Sequence, residues 1–554
     1  MHRQDKTGKH AGNRLWHRVL YALTFPVYKY AALLALFFAM TAVVLAIVFF
    51  AGVWPSDHKH FINFVLIFSD SFVTAYAIVL SGEWLNRLRR WMSVIWLVLW
   101  GIILSINFLI DATFFLVYNT LCTPETLCAI VATNAREALE FIDRYINSSV
   151  ILGIVVFVAI FAAIYYVVKI ACRKKVGIDS RTGRIVFLLL AIASAIFSIS
   201  MPGIQHVNCT PLLKIYTLRH LDTGHELEPS GTEIAIAGKD SPTQIVVIIG
   251  ESHARTHSQL YGYQVATQPE QVKLRDNGSL YVFANPQAPA LYTLAAMSRL
   301  IGVWDGEECG KEWYRSLTFI EAARKGGYQT VWLSNQPSKG ILDMSVQKIA
   351  HSCDQWQFTS QDIATLLHPL YDQSLFPLIK SHLQAKRKTL TVIHLMGSHV
   401  GYESRYPQKW QKFALNDYTG DEYHRFILAG YDNSVLYNDF ILTEIYKIYD
   451  PTDAIVIYLS DHGQDIFDSA PDYAGHGRNY DHKSSIAGLQ IPFTVYLTEK
   501  FKCAHPALAN RIAKASQTAD SIRTTDLIYT LMDVMGEKIP GKDIVAERSF
   551  FTTP

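Results

Sequence analysis

The sequence predicts two parts in series: an N-terminal domain of five transmembrane helices, then a soluble α/β domain. Three observations predict this. Apolar residues make up half of the 554-residue chain and concentrate before residue 205. Five runs in that region are long enough to cross a bilayer, which takes ~20 helical residues. Beyond residue 241, short apolar runs of strand character alternate with helical patterns, as in a doubly wound α/β domain. A chain of this length is expected to hold two domains, each able to bury a sizeable core. The boundaries read as 1–205 for the membrane domain, 206–241 for a linker and 242–554 for the soluble domain.

The five runs are 28–53, 61–81, 91–110, 150–170 and 185–201. Orientation follows from the basic residues that flank them. The N-terminal tail carries Arg3, Lys6, Lys9, Arg14 and Arg18. The second-to-third connection carries Arg87, Arg89 and Arg90, and the fourth-to-fifth carries Arg173, Lys174, Lys175, Arg181 and Arg184. The intervening connections are poor in such residues, with Lys59 in one and Arg136 and Arg144 in the other. The N-terminus is therefore expected in the cytoplasm, with everything after Met201 outside. A polar, basic start and an apolar run without a small-residue cleavage site read as a retained anchor rather than a signal peptide.

The connection 111–149 is too long for a turn. Thr123-Pro124-Glu125-Thr126 reads as a helix start, with proline in the first turn and an acid near the positive end of the dipole. Leu127, Ile130, Val131, Leu139, Ile142 and Ile146 recur at mostly helical spacing after it. The helix either lies on the outer membrane face or packs on the soluble domain. From 202 to 241 the composition turns polar, with Pro211, Gly224, Pro229 and Gly231 scattered through it, which suggests the linker. The formal net charge of +2 argues neither for nor against nucleic acid, and no nucleic-acid partner is expected. Seven cysteines are too few for a disulfide scaffold, and none has metal or redox CxxC spacing. Cys122 and Cys128 lie close enough in an oxidising compartment to pair.

In the soluble part, strands are expected near 244–250, 328–333, 389–395, 454–460 and 491–497, with helices near 317–325, 421–448 and 520–535. Ile245-Val246-Val247-Ile248-Ile249 is a run of β-branched residues, as expected of a strand buried on both faces. Gly250 ends it and Glu251 stands at its carboxyl end, where open α/β sheets bind ligands. Ala454 to Leu459 runs into Ser460-Asp461-His462-Gly463 in the same way. A carboxylate and an imidazole at adjacent positions can reach one cation if the chain turns sharply, and Gly463 permits that turn. Zinc accepts this mix of oxygen and nitrogen ligands. Taken alone, Asp-His-Gly is most often an exposed turn; Glu251 at a second strand end gives it weight.

Gly250-Glu251-Ser252, Leu260-Tyr261-Gly262-Tyr263 and Thr267-Gln268-Pro269 resemble the opening of the phosphoethanolamine transferases. These are membrane-anchored members of the alkaline phosphatase and sulfatase superfamily. The resemblance continues through Tyr328 to Gln336, His394-Leu395-Met396-Gly397-Ser398-His399, Arg405-Tyr406-Pro407, Tyr431 to Asp439 and Ser460 to Asp465. The blocks follow the family's order, and five spans ahead of a soluble domain is the family's layout. The resemblance thus implies a soluble domain of sulfatase or alkaline-phosphatase type.

It also implies a nucleophile, a threonine at a helix start downstream of the strand-end glutamate. Here that is Thr293, whose hydroxyl would face the positive end of a helix dipole. Read without the family, a threonine there is more often an N-cap. The family's zinc ligands carry over as Glu251, Thr293, Asp461 and His462. Its phosphate-binding histidines carry over as His399 and His476, with His482 a rival to the latter, and Lys339 matches a lysine near the substrate. His253 and His257 fall at positions that the family does not use and are read as surface residues. The family often staples its soluble domain with disulfides, which makes Cys309–Cys353 a candidate pair.

The reaction so implied moves phosphoethanolamine from phosphatidylethanolamine to an envelope acceptor, through a phospho-threonine, at the bacterial inner membrane. The acceptor is lipopolysaccharide, on lipid A or a core sugar, or a glucan. The contexts of Thr293 and of Gly477-Arg478-Asn479 lean towards the core-sugar and glucan branch. Two other readings are a phosphoglycerol transferase of the same superfamily and an inactive membrane receptor or scaffold. Joint retention of Glu251, Thr293, Asp461 and His462 speaks against the latter.

Overall fold

A computed structural model describes residues 29–50, 60–118, 146–173 and 226–552, together with short pieces between 19 and 194. Excepted within the last range are 237–240, 304–312, 337–344, 360–369, 470–473, 476–481 and 520. The chain divides into two compact units that change over near residue 221.

In the N-terminal unit the long helices are α1 (Ala31–Phe50), α2 (His60–Leu88), α3 (Arg90–Tyr118) and α4 (Ser148–Arg173). Leu34 and Phe37 of α1 pack with Ala75, Ile78 and Val79 of α2 and Leu104 of α3. Phe108 of α3 meets Phe157 and Phe161 of α4 edge to face. Lys29 pairs with Glu83 at 2.6 Å. Among the described residues, two stretches, Arg90–Val117 and Ser148–Ala171, are long and apolar enough to cross a membrane. They leave Val94, Ile95, Val98, Ile102, Leu152, Val155 and Val167 exposed. Such a surface is what hydrocarbon, rather than water, would cover. Five spans are therefore not shown. α1 covers most of the first expected run and α2 contains the second, and most of the fifth, like most of the helix expected after Thr123, lies outside the described residues.

The C-terminal unit is built on a seven-stranded sheet. Its strands are β1 (Gln244–Gly250), β2 (Leu280–Val282), β3 (Gln329–Ser334), β4 (Gln355–Phe358), β5 (Thr389–His394), β6 (Ala454–Ser460) and β7 (Phe493–Leu497). The order is β2-β7-β6-β1-β5-β3-β4. β1 lies between β5 and β6, parallel to both, with Ile249 opposite His394 and Leu459. The five expected strands all form. The sheet is not parallel throughout, because β7 runs antiparallel to β6 and β2 antiparallel to β7. The connection from β6 to β7 returns through helix His482–Leu489, which packs close to Gly463 at the tip of β6. The chain therefore re-enters the sheet from the end at which it left.

The helices used below are α5 (Pro269–Asp276), α6 (Thr293–Leu300), α7 (Phe319–Lys325), α8 (Leu375–His382), α9 (Glu422–Tyr449) and α10 (Leu527–Met535). Every residue of β1 is buried. Ile245, Val247 and Ile249 join one core with Met297, Phe319, Ile320, Leu527 and Leu531 from α6, α7 and α10. Val246 and Ile248 join a second with Leu375, Ile379, Tyr437, Ile441 and Ile445 from α8 and α9. Alternate side chains of one strand thus feed two apolar layers, which is why its β-branched run is unbroken. α9 starts where Asp421 accepts the His424 N–H at 2.9 Å, and α7 where Thr318 accepts the Glu321 N–H at 3.1 Å.

The end of the segment expected as linker is attached to this unit. Leu227 and Ile234 pack on the first core, and Ala235–Ile236 pairs antiparallel with Glu537–Lys538. A polar composition did not distinguish a free tether from an edge ribbon.

Candidate active site

Two strand tips and one helix start converge. Glu251 follows β1, Asp461 and His462 follow β6, and Thr293 opens α6. Glu251, Asp461 and His462 are all buried, and one ligand atom from each lies within 4.8 Å of the others. The Thr293 hydroxyl donates to Glu251 Oε2 at 3.1 Å and stands 3.3 Å from His462 Nε2. His462 Nε2 is 3.2 Å from Glu251 Oε1 and 3.5 Å from Asp461 Oδ2. The four residues expected as ligands are thus brought together.

Their orientations are fixed locally. His462 Nδ1 lies 2.8 Å from the Gly463 carbonyl, so that nitrogen carries a proton and Nε2 faces the cluster. Asp461 Oδ1 accepts the backbone N–H of His462 at 2.7 Å and of Ser252 at 3.3 Å. Asp461 Oδ2 is buried without a hydrogen-bond partner. Gly463 matters for space more than for a turn: a Cβ there would sit 2.7 Å from the carbonyls of Ala487 and Gln490. Thr293 is not an N-cap. Tyr292 holds the cap position with extended backbone, and Thr293 is the first helical residue, its hydroxyl turned to Glu251.

The three ionisable groups shift one another. Burial and the neighbouring Glu251 carboxylate push Asp461 up to about 7. Burial opposes a charge on His462, but the Asp461 and Glu251 carboxylates outweigh it and raise the imidazole to about 9. Burial likewise opposes ionisation of Glu251, yet His462 holds its carboxyl well below the ordinary range. Two buried carboxylates, one of them with an orphaned oxygen, an imidazole nitrogen and a hydroxyl are a donor set that suits a small divalent cation.

His399 follows β5 on a loop over the site. It is half-buried, and its Nδ1 is buried without a hydrogen-bond partner. His476 and Lys339 lie outside the described residues, as does the side chain of His482. Cys309 does too, and Cys353 is a free, buried thiol.

His253 and His257 are not surface residues; both are buried. His253 Nδ1 lies 2.8 Å from the Tyr458 hydroxyl and its Nε2 2.9 Å from Ser258 Oγ, and burial lowers its pKa to about 3. His257 Nδ1 is 2.8 Å from Asp432 Oδ1. Asp432 also accepts the hydroxyls of Tyr263 and Tyr418 at 2.9 and 2.6 Å. These histidines follow a strand end whose turn folds inward, which local polarity does not reveal.

Sequence reading also missed Ser252, Gln336 and Asp372. Ser252 Oγ donates to Glu251 Oε1 at 2.8 Å, and Gln336 Nε2 reaches Glu251 Oε2 at 3.4 Å. Asp372 accepts the N–H groups of Met396 and Gly397 at 2.8 and 2.9 Å. Adjacency to Glu251 was the one available signal, and it pointed to Ser252 alone.

Comparison with known proteins agrees with this fold. The phosphoethanolamine transferase EptC of Escherichia coli O18:K1:H7 is 24% identical over 512 residues, spanning 84% of this chain and 85% of its own. The C-terminal periplasmic domain of EptC from Escherichia coli, solved in complex with Zn, superposes with a TM-score of 0.53 at 24% identity, over 59% of this chain and 90% of that one. The integral membrane lipooligosaccharide phosphoethanolamine transferase A of Neisseria meningitidis superposes with a TM-score of 0.64 at 16% identity, over 94% of this chain and 98% of that one. Its fold therefore includes a counterpart of the N-terminal helical unit. Residues 243–537 match the family model described as Sulfatase, and with the buried Glu251, Asp461 and His462 at its strand tips the chain belongs to the sulfatase family.

Proposed function

We propose that the protein is a zinc-dependent phosphoethanolamine transferase of the bacterial inner membrane, anchored by five spans with its catalytic domain in the periplasm. One observation carries the reading: the Thr293 hydroxyl, at the first residue of a helix, lies within reach of both Glu251 and His462. Glu251, Thr293, Asp461 and His462 would hold the ion, which when bound would supply a positive charge that lowers the hydroxyl pKa and offsets negative charge on the phosphoryl oxygens. Zinc is favoured by the ligand chemistry and by the zinc complex of EptC.

Thr293 Oγ attacks the phosphorus of phosphatidylethanolamine, the bond to the diacylglycerol oxygen breaks, and diacylglycerol leaves with the proton. A hydroxyl of an envelope glycolipid or glycan then displaces Thr293 and returns a proton to it. The N-terminus of α6 attracts the phosphate. His399, His476 and Lys339 hold its remaining oxygens. The covalent stage keeps the headgroup from water between lipid departure and acceptor arrival.

The test is direct. Purified full-length protein loaded with zinc should release diacylglycerol from headgroup-labelled phosphatidylethanolamine, and Thr293→Ala should not. Release at the wild-type rate by Thr293→Ala, or none by the wild type in the presence of a lipopolysaccharide or glucan acceptor, would refute the reading.

A further inference from the structure

We propose that the Tyr431 hydroxyl is a positioning group of the metal centre and acts through Ser252. This rests on the reading of Glu251, Asp461 and His462 as metal ligands.

Ser252 touches both carboxylates of the cluster. Its hydroxyl donates to Glu251 Oε1 at 2.8 Å and its backbone N–H to Asp461 Oδ1 at 3.3 Å. It does so from a left-handed backbone conformation, with φ at 56°, which is unfavourable for a residue with a Cβ. Something must hold it there. The Tyr431 hydroxyl donates to the Ser252 carbonyl at 2.7 Å and accepts the Ala254 N–H at 2.7 Å. One oxygen therefore ties both ends of the turn that follows Glu251.

Tyr431 itself has no freedom to drift. It is fully buried on α9, with ring centroids 5.0 Å from Tyr402 and 5.1 Å from His257, both edge to face. The strand-end carboxylates are thus set by a rigid helix on the far side of the turn. Partners of metal ligands commonly matter in this way, with losses of about 10–100-fold in metal affinity when they are removed.

The experiment is chelator competition for zinc on the full-length, detergent-solubilised protein. Tyr431→Phe keeps the ring and removes the one oxygen, and it should weaken zinc binding by about tenfold or more. Ile441→Val, a buried change on the same helix remote from the turn, should lower thermal stability while leaving zinc affinity within about twofold. In a Ser252→Gly background, Tyr431→Phe should cost less than about threefold, because glycine holds a positive φ unaided. Wild-type affinity in Tyr431→Phe, an equal loss in Ile441→Val, or the full loss repeated in the glycine background would each overturn the proposal. No zinc on the wild-type protein would instead overturn the metal reading, and the proposal with it.

Discussion

Gly397 lies against the backbone of Glu251: a Cβ built on it would sit 2.8 Å from both the amide nitrogen and the carbonyl oxygen of Glu251. Its φ is 51°, in the left-handed region. The loop it belongs to is held from both sides, by Ser398 N–H on the Glu251 carbonyl at 2.9 Å and by Asp372 on the Met396 and Gly397 amides. The crevice above β1 is therefore closed by a backbone that only a residue without a side chain can supply. Gly397→Ala should destabilise the catalytic unit by about 2–4 kcal/mol, from overpacking together with the positive φ. It should also lower bound zinc. Thermal unfolding and metal analysis of the purified protein check both, and a variant with wild-type values would show that the loop has room to move.

Glu537 predicts a pH dependence. It is buried, and neither carboxylate oxygen has a hydrogen-bond partner. Burial raises its pKa to about 8 from an ordinary 4.5. The folded state keeps this proton over a range in which the unfolded chain has released it. Its contribution is therefore fully present below about pH 4.5 and is lost as pH rises to about 8. Glu537→Gln should be more stable than wild type at pH 8 by a few kcal/mol and no more stable at pH 4. Melting curves across that range would contradict this if the two proteins kept a constant difference.

The proposed mechanism needs the catalytic unit outside the cell. Reporter fusions after Arg184 should read as cytoplasmic and fusions after Pro229 as external. A cytoplasmic reading after Pro229 would overturn both the topology and the supply of acceptor.

The strands were legible where one physical cause dominated. An unbroken β-branched run in 245–249 can be accommodated where both faces are covered, and β1 is buried throughout. β2 and β4 were not seen, being three and four residues long, too short to show alternation. The reversal of β7 depends on where helix His482–Leu489 lies, and its own composition carries no sign of direction. Glu251, Asp461 and His462 could be placed at strand ends from sequence, whereas Thr293 needed the family resemblance, since a threonine at a helix start is an ordinary cap. Tyr431 and Gly397 act across the fold on residues distant in the chain. His253 and His257 were misjudged for the same reason: their partners Tyr458 and Asp432 come from β6 and α9.

The central claim is that Thr293 carries the headgroup. Intact-protein mass measurement of zinc-loaded full-length protein, incubated with phosphatidylethanolamine and no acceptor, tests it most directly. One added phosphoethanolamine is expected, mapped by peptide analysis to Thr293 and absent from Thr293→Ala. An adduct on another residue, or diacylglycerol release at the wild-type rate by Thr293→Ala, would contradict it.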